Sequence, residues 1–326
     1  MLKRIIEGNH LDFKESYSLF CNLLEESELR IASYLVALQT KGYSSQEIAG
    51  LAQAMRDHAL KIDLGDVADT CGTGGDGSCT INVSTAAAII LSCFKKVAKH
   101  GNVSITSNSG SANVLKTLGV EIENLPQDAQ KIIEMTNFAF LLAPLYHPAL
   151  KRIMPVRKQL GVKTVFNILG PLANPASPQF QLIGVNSPDL VEKVAHALKI
   201  MGVKKAIVVH GSGLDEVNPC AETTVAEVTS KVEIYGITPE EFGVATSKIS
   251  PCSSCEESAQ RLMDVFSGKA GHDANFVLIN ASAALYAAGI ATDFAEGVEI
   301  ARNIIEEGKV VAKVEEIQNA GRIRIC

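Results

Sequence analysis

Gly65-Asp66-Val67-Ala68-Asp69-Thr70-Cys71 runs straight into Gly72-Thr73-Gly74-Gly75-Asp76-Gly77, and Asn82-Val83-Ser84-Thr85 then opens the apolar run Ala86 to Leu91. The first segment reads as a short buried strand, the second as a glycine turn, and the third as a helix start with hydroxyls at its N-terminus. Together they bring several backbone N–H groups and the positive end of a helix dipole to one point, which is an anion cradle. Outward from it, the 44 residues from Gly77 to Val120 contain no Asp or Glu, while Lys95, Lys96, Lys99, His100 and Lys116 follow the turn. In a chain with 30 Lys plus Arg against 36 Asp plus Glu and a net charge of -6, that clearing makes room for a polyanion, and a phosphate ester is expected.

Two phosphate motifs are excluded. Gly72-Thr-Gly74-Gly-Asp-Gly77 matches the dinucleotide pattern, but that fingerprint needs an acidic residue about 20 positions on, where this chain has Lys99 and His100. No Gly-Lys-Ser/Thr follows the loop, so it is not a Walker A site. A glycine turn that merely packs a helix on a sheet remains the plain alternative.

The 326 residues, 47% apolar and 20% charged, supply an ordinary globular core and exceed one typical domain. No basic cluster interleaved with aromatics points to nucleic acid. Met1 to Glu7 lacks a signal-peptide core, and no apolar run approaches the roughly 18–20 residues of a membrane span, so a cytoplasmic chain with no membrane partner is expected. The eight cysteines lack disulfide-scaffold density, and reduced thiols are expected. Cys252-Ser-Ser-Cys255 has metal-clamp spacing, but no second pair of ligands follows for a closed zinc site.

Residues 1 to about 62 show helical spacing over 16–24, 27–40 and 45–60, each with a Ser start. From Val67 on, strand-like runs (138–143, 180–185, 206–209) alternate with helices (188–201, 275–289, 294–307), which predicts an α/β fold. Asn174-Pro-Ala-Ser-Pro178 reads as a loop and hinge.

Four further groups can carry chemistry. Lys99-His100-Gly101-Asn102 and Ser107-Asn108-Ser109-Gly110-Ser111 offer a cation and small polar donors for a second phosphate contact, or else a Ser-rich turn into a helix from Ala112. Asp215-Glu216, after a strand and the flexible His210-Gly-Ser-Gly213, suits magnesium, which takes one or two carboxylates and completes its shell with water and phosphate oxygens; it also suits a solvated turn. Arg157 offers a planar fork for a carboxylate, although such an arginine can equally be a surface helix residue. Tyr146-His147-Pro148 and the run Phe166 to Pro175 complete the set.

In order along the chain, Asp69-Thr-Cys-Gly-Thr-Gly-Gly-Asp76, Asn82-Val-Ser-Thr85, Lys99-His-Gly-Asn102, Ser109-Gly-Ser-Ala112, Tyr146-His-Pro-Ala149 and Phe166-Asn-Ile-Leu-Gly-Pro171 resemble the motifs of the anthranilate phosphoribosyltransferase family. Leu38 to Tyr43, Ile48 to Gly50 and Ala54 to Arg56 resemble its N-terminal helices, and Asn280 to Tyr286 its C-terminal ones.

The resemblance implies a helical domain over 1–65, completed by helices within about 150–175, and an α/β domain with a central mixed sheet over 66–326. It implies a homodimer formed through the helical domain, with the active site in the cleft between domains. Carried over by position, Gly72, Gly75, Asp76, Thr80, Asn82, Val83, Ser84 and Thr85 would hold phosphoribosyl pyrophosphate, with Lys99, Ser107 and Ser111 assisting. Ser84, Asp215 and Glu216 would hold Mg2+, and Gly72, Asn102 and Arg157 would meet anthranilate with His100 and His147 nearby. The family often has Arg where this chain has Val103, a basic residue for Asn108, Asp for Asn113 and Arg for Lys163. Two positive charges are thus missing beside the phosphate loop, implying weaker substrate binding or a neighbouring group in their place.

The chemistry is coherent with this set. A weakly basic aniline nitrogen displaces pyrophosphate from C1 of the ribose, so catalysis needs positioning and charge stabilisation rather than a strong base. Two other readings stay open: a nucleoside phosphorylase of the related fold, disfavoured by Asp215-Glu216 and Arg157, and a non-catalytic sugar-phosphate binding protein.

Overall fold

The structure, a computed structural model, describes residues 1–103, 110–269 and 271–322. It begins with four helices, α1 (Leu2–Ile6), α2 (Phe13–Leu23), α3 (Glu28–Lys41) and α4 (Ser45–Asp57). Serine spacing placed the start of α2 too late: Asp12 caps it through a capping box with Glu15, and Ser16 is buried inside it. Ser27 and Ser44 cap α3 and α4, Ser44 in a second capping box with Glu47. Helices α2 and α4 touch so closely that a Cβ on Gly50 would lie 2.3 Å from the Phe13 carbonyl oxygen.

The remainder is built on seven strands: β1 (Ala68–Gly72), β2 (Val97–Gly101), β3 (Phe138–Leu142), β4 (Phe180–Gly184), β5 (Lys205–His210), β6 (Thr223–Val228) and β7 (Val232–Ile237). Their order is β3-β2-β1-β4-β5-β6-β7. The first five are parallel and the last two form an antiparallel edge hairpin, so the sheet is mixed as expected. Between the strands run α5 (Val83–Ser92), α6 (Ser111–Thr117), α7 (Pro126–Thr136), α8 (Ala143–Tyr146), α9 (Ile153–Leu160), α10 (Phe166–Leu172) and α11 (Asp189–Ile200). After them come α12 (Cys255–Phe266), α13 (His272–Ala287), α14 (Phe294–Glu306) and α15 (Lys309–Arg322).

One face of the sheet is covered by α5 and the almost wholly buried α13, and the other by α11, whose apolar side continues into the core of the N-terminal helices. Helix α9 packs on α3, and α10 on α4. The connection out of β1 leads to β2 on one side, while β4 flanks it on the other. Its C-terminal end is therefore the topological switch point, where open α/β sheets leave a crevice for a ligand. Among the described residues no helix is long and apolar enough to cross a membrane.

Candidate active site

The glycine turn leaves β1 at this crevice. Gly74, Gly75 and Gly77 have φ of 65°, 77° and 78°, left-handed values that cost a glycine little and let successive N–H groups face one way. The loop is tied down from several elements. Thr73 N–H donates to the Gly184 oxygen at 2.9 Å. Gly74 N–H donates to Asp215 Oδ2 at 2.6 Å, and Asn186 Nδ2 donates to the Gly74 oxygen at 2.6 Å. Lys163 Nζ donates to the Gly75 oxygen at 2.8 Å. A Cβ on Gly72 would meet Asp215 Oδ2 at 2.2 Å and one on Gly184 the Asp215 carbonyl oxygen at 1.5 Å, so the Asp215-Glu216 segment lies directly on the ends of β1 and β4.

At the start of α5, Asn82 Oδ1 accepts from Thr85 N–H at 3.0 Å and from Ser84 Oγ at 3.3 Å. Val83 N–H is used on the Ile81 oxygen, and the Val83 and Thr85 side chains are buried, so these two shape the helix start. Asn82 and Ser84 are half-buried. From β2, the buried Lys99 reaches across to the Thr70 oxygen at 2.6 Å and Ser84 Oγ at 3.3 Å. Burial lowers its pKa, opposed chiefly by the charge of Asp69. Ser111 Oγ lies against Gly101, where an added Cβ would be 2.5 Å away. Thr80 is half-buried between the loop and α5. Ser107 and Asn108 lie outside the described residues.

Asp76, Asp215 and Glu216 gather at the mouth. Burial, and then the charge of Asp76, raises Asp215 to about 7; burial and Asp215 push Glu216 well above the ordinary carboxylate range. Asp76 Oδ1 accepts from Ser78 N–H at 3.1 Å, while its buried Oδ2 has no hydrogen-bond partner. Crowded carboxyls that resist ionisation fit a cation they would share. Among the described residues no group of three or more His, Cys, Asp or Glu side chains is placed to hold a metal ion by itself. The donor set suits an ion finished by Ser84 and by a ligand's own phosphate oxygens.

On the other side of β2, His100 and His147 meet edge-on with ring centroids 5.1 Å apart. His100 Nδ1 is 3.3 Å from the Gly170 oxygen, and the Nε2 atoms of both rings are buried without partners. Burial holds His100 at about 3 and His147 at about 4, so both are neutral at physiological pH. Arg157, half-buried on α9, stacks 5.1 Å from the Phe166 ring centroid and contacts Met154 Sδ at 3.3 Å; burial alone perturbs it, and no acidic side chain among the described residues pairs with it. Helix α10 links these groups, with Phe166 under Arg157 at one end and Gly170 against His100 at the other. Asn102 is exposed, its Oδ1 accepting from Val103 N–H at 2.7 Å.

Thus all the expected site residues except Ser107 can be placed, and they gather along the strand ends and α10. Sequence reasoning missed Asn186, and it took Lys163 for a mere departure where the structure shows a loop tether. The available signal for Asn186 was its place two residues beyond the end of β4.

The family described as "Glycosyl transferase family, a/b domain" matches residues 64–311, and "Glycosyl transferase family, helical bundle domain" matches residues 1–59. Anthranilate phosphoribosyltransferase of Methanococcus vannielii is 64% identical over 98% of this chain and 100% of its own length. The crystal structure of the Thermus thermophilus anthranilate phosphoribosyltransferase superposes with a TM-score of 0.92 at 38% identity, covering 98% of this chain and 99% of that one. The Saccharomyces cerevisiae enzyme, solved in complex with PRPP and Mg, gives a TM-score of 0.86 at 29% identity, covering 96% of this chain and 94% of that one.

Proposed function

This chain belongs to the anthranilate phosphoribosyltransferase family and transfers the phosphoribosyl group of phosphoribosyl pyrophosphate to anthranilate, giving N-(5-phosphoribosyl)anthranilate and pyrophosphate in tryptophan biosynthesis; we propose that the residues at the strand ends, at the start of α5 and around α10 carry that reaction. The observation that carries the proposal is the pairing of an anion cradle with a half-buried arginine that has no acidic partner among the described residues, beside two neutral imidazoles.

The pyrophosphate lies against the backbone of Gly75 to Gly77 and the start of α5, with Thr80, Asn82, Ser84 and Ser111 around it and the buried Lys99 at its back. Ser107 belongs to the same group. Mg2+ held by Ser84, Asp215 and Glu216 would neutralise the leaving group's charge. The Arg157 fork takes the anthranilate carboxylate, and Gly72, Asn102, His100 and His147 border its ring. The amine is unprotonated at neutral pH, and because both imidazoles are neutral they add no repulsion to the positive charge that develops on the ribose. The roles of Lys99 and Arg157 are electrostatic and positional.

We also assign residues 1–65, completed by α9 and α10, to a helical domain, and 66–326 to the substrate-binding α/β domain. Exposed apolar side chains on the helices, Ile6 (68%), Leu29 (78%) and Val36 (44%), support a homodimer through that domain. None of the seven cysteines among the described residues is in a disulfide, which supports a reducing, cytoplasmic setting. Sedimentation equilibrium returning a 34.7 kDa species would remove the dimer. For the reaction itself, the test is loss of anthranilate fluorescence with phosphoribosyl pyrophosphate and magnesium. Loss that persists in a chelator would remove the metal role, and no loss at all would remove the transferase reading.

A further inference from the structure

Five buried polar atoms lack hydrogen-bond partners along the seam where α4 and α10 meet the sheet: Arg56 Nη2, Asp69 Oδ1, His100 Nε2, His147 Nε2 and Gln181 Oε1. Buried polar groups are nearly always satisfied, so a cluster of exceptions calls for a cause. The three C-terminal carbonyls of α10 are each taken by a side chain from a different element. Gly170 faces His100 Nδ1 of β2 at 3.3 Å, Pro171 accepts from Gln181 Nε2 of β4 at 3.2 Å, and Leu172 accepts from Arg56 Nε of α4 at 2.6 Å. Helix α10 is thus gripped from the helical domain and from the sheet together.

Two of the unsatisfied atoms carry opposite charge. Arg56 is 8% exposed and Asp69 1% exposed. Asp69 Oδ2 accepts from Asn174 Nδ2 at 2.8 Å, and the same Nδ2 lies 2.7 Å from the Ala98 oxygen, which pins the segment after α10 onto β1 and β2. Asp69 Oδ1 has no such bond, and Gln181, with its own unsatisfied Oε1, is its register neighbour on β4. Asp69 is also the strongest charge acting on Arg56, which in turn faces His100. Asp69 is already partly compensated, first by the charge of Lys99 and then by Asn174 and the His100 and Thr70 backbone, so Arg56 would be a second cation on this carboxylate, using the nitrogen and the oxygen that are left without a hydrogen bond.

We propose that Arg56 and Asp69 are positioning residues for the transfer: Arg56 Nη2 pairs with Asp69 Oδ1 once substrates are bound, fixing α10 against β1 and β2 so that Arg157 and His100 are set against the anthranilate. Arg56 keeps its bond to Leu172 throughout, so the guanidinium joins α4, α10 and β1 in one charged clamp. The inference rests on the assigned reaction only for its kinetic readout.

The direct test is a crystal structure of the wild-type protein with phosphoribosyl pyrophosphate and magnesium bound, which does not depend on turnover. An Arg56 Nη2 to Asp69 Oδ1 contact of about 3 Å is expected; the two atoms still apart, or each engaged by a separate water, would overturn the clamp. The kinetic counterpart is a double-mutant cycle with Arg56→Gln and Asp69→Asn. Either single substitution should lower kcat by roughly tenfold, with much smaller changes in both KM values, and the double variant should lose little more than the worse single one. Arg56→Lys, which keeps the charge but not the two-bond fork, should recover part of the loss. Additive losses, or a wild-type kcat accompanied only by a lower Tm, would reduce the pair to structural fill. A wild-type protein without turnover would sink the assigned reaction while the crystallographic test still decides the clamp.

Discussion

Asp215 Oδ2 accepts the Gly74 N–H at 2.6 Å, so the carboxylate loop after β5 and the glycine loop after β1 form one mechanical unit. A Cβ at Gly72 would lie 2.2 Å from that same Oδ2. Gly72→Ala must therefore push the carboxylate off Gly74. Losing a hydrogen bond to a charged group costs about 1.5–3 kcal/mol, so KM for phosphoribosyl pyrophosphate should rise by roughly tenfold or more. Steady-state kinetics with a normal KM would show that the loop does not depend on this tie. Gly184→Ala, whose Cβ would lie 1.5 Å from a backbone oxygen, should instead cost stability, read as a lowered Tm.

Arg157 has burial but no acidic partner among the described residues, and in the proposed site the anthranilate carboxylate would supply one. Arg157→Ala should raise KM for anthranilate by roughly ten- to a hundredfold, from the same energy range, and leave KM for phosphoribosyl pyrophosphate nearly unchanged. If KM for anthranilate does not move, Arg157 is not in the site.

The carboxyl cluster predicts a pH signature. Asp215, raised to about 7 by burial and Asp76, and Glu216, pushed well above its ordinary value by burial and Asp215, keep their protons in the fold at pH values where the unfolded chain has released them. Their contribution to stability is full below the unfolded values near 4 and is lost as pH rises through the folded ones. His100 and His147, held at about 3 and 4, act in the opposite sense, but only below the unfolded histidine value near 6.5. Above pH 6.5 the two imidazoles no longer oppose the carboxyls. Metal-free protein should lose Tm between pH 6.5 and 8, and magnesium should restore more of it at pH 8; calorimetry giving the same magnesium increment at both would contradict this.

Asp215→Asn with Glu216→Gln removes the crowding together with the two carboxylates proposed to hold the ion. The variant should be at least as stable without metal yet require far more magnesium for turnover. A titration of rate against magnesium that overlays the wild type would take the pair out of the metal site.

Lys163 tethers the Gly75 carbonyl from outside the loop. Lys163→Met should raise KM for phosphoribosyl pyrophosphate several-fold without moving KM for anthranilate. Equal shifts in both would instead place Lys163 in the closing of the whole cleft.

The β1–loop–α5 unit was legible in the sequence because its determinants are local: a strand, glycines where φ must be positive, and a capping Asn within about twenty residues. Strand β2 was not, since Lys99, His100 and Gly101 interrupt any apolar alternation; they are there for the site, and the parallel register with β1 and β3 forms the strand regardless. The β6–β7 hairpin was missed as well, its outer strand being short and largely exposed at the sheet edge, with Gly236 inside it. Contacts between distant segments were invisible. Lys163 meets Gly75 across 88 positions, Asn186 meets Gly74 across 112, and Arg56 meets Leu172 across 116. Only the folded chain shows that Asp69, a carboxylate inside an otherwise apolar strand, faces an arginine from another domain.

The account stands most directly on one measurement: phosphorus NMR of phosphoribosyl pyrophosphate with the purified protein and magnesium, before and after anthranilate is added. Pyrophosphate should appear only after anthranilate, one molecule for each N-(5-phosphoribosyl)anthranilate formed. No release with anthranilate, or release that ignores it, would contradict the assignment of this cleft to phosphoribosyl transfer.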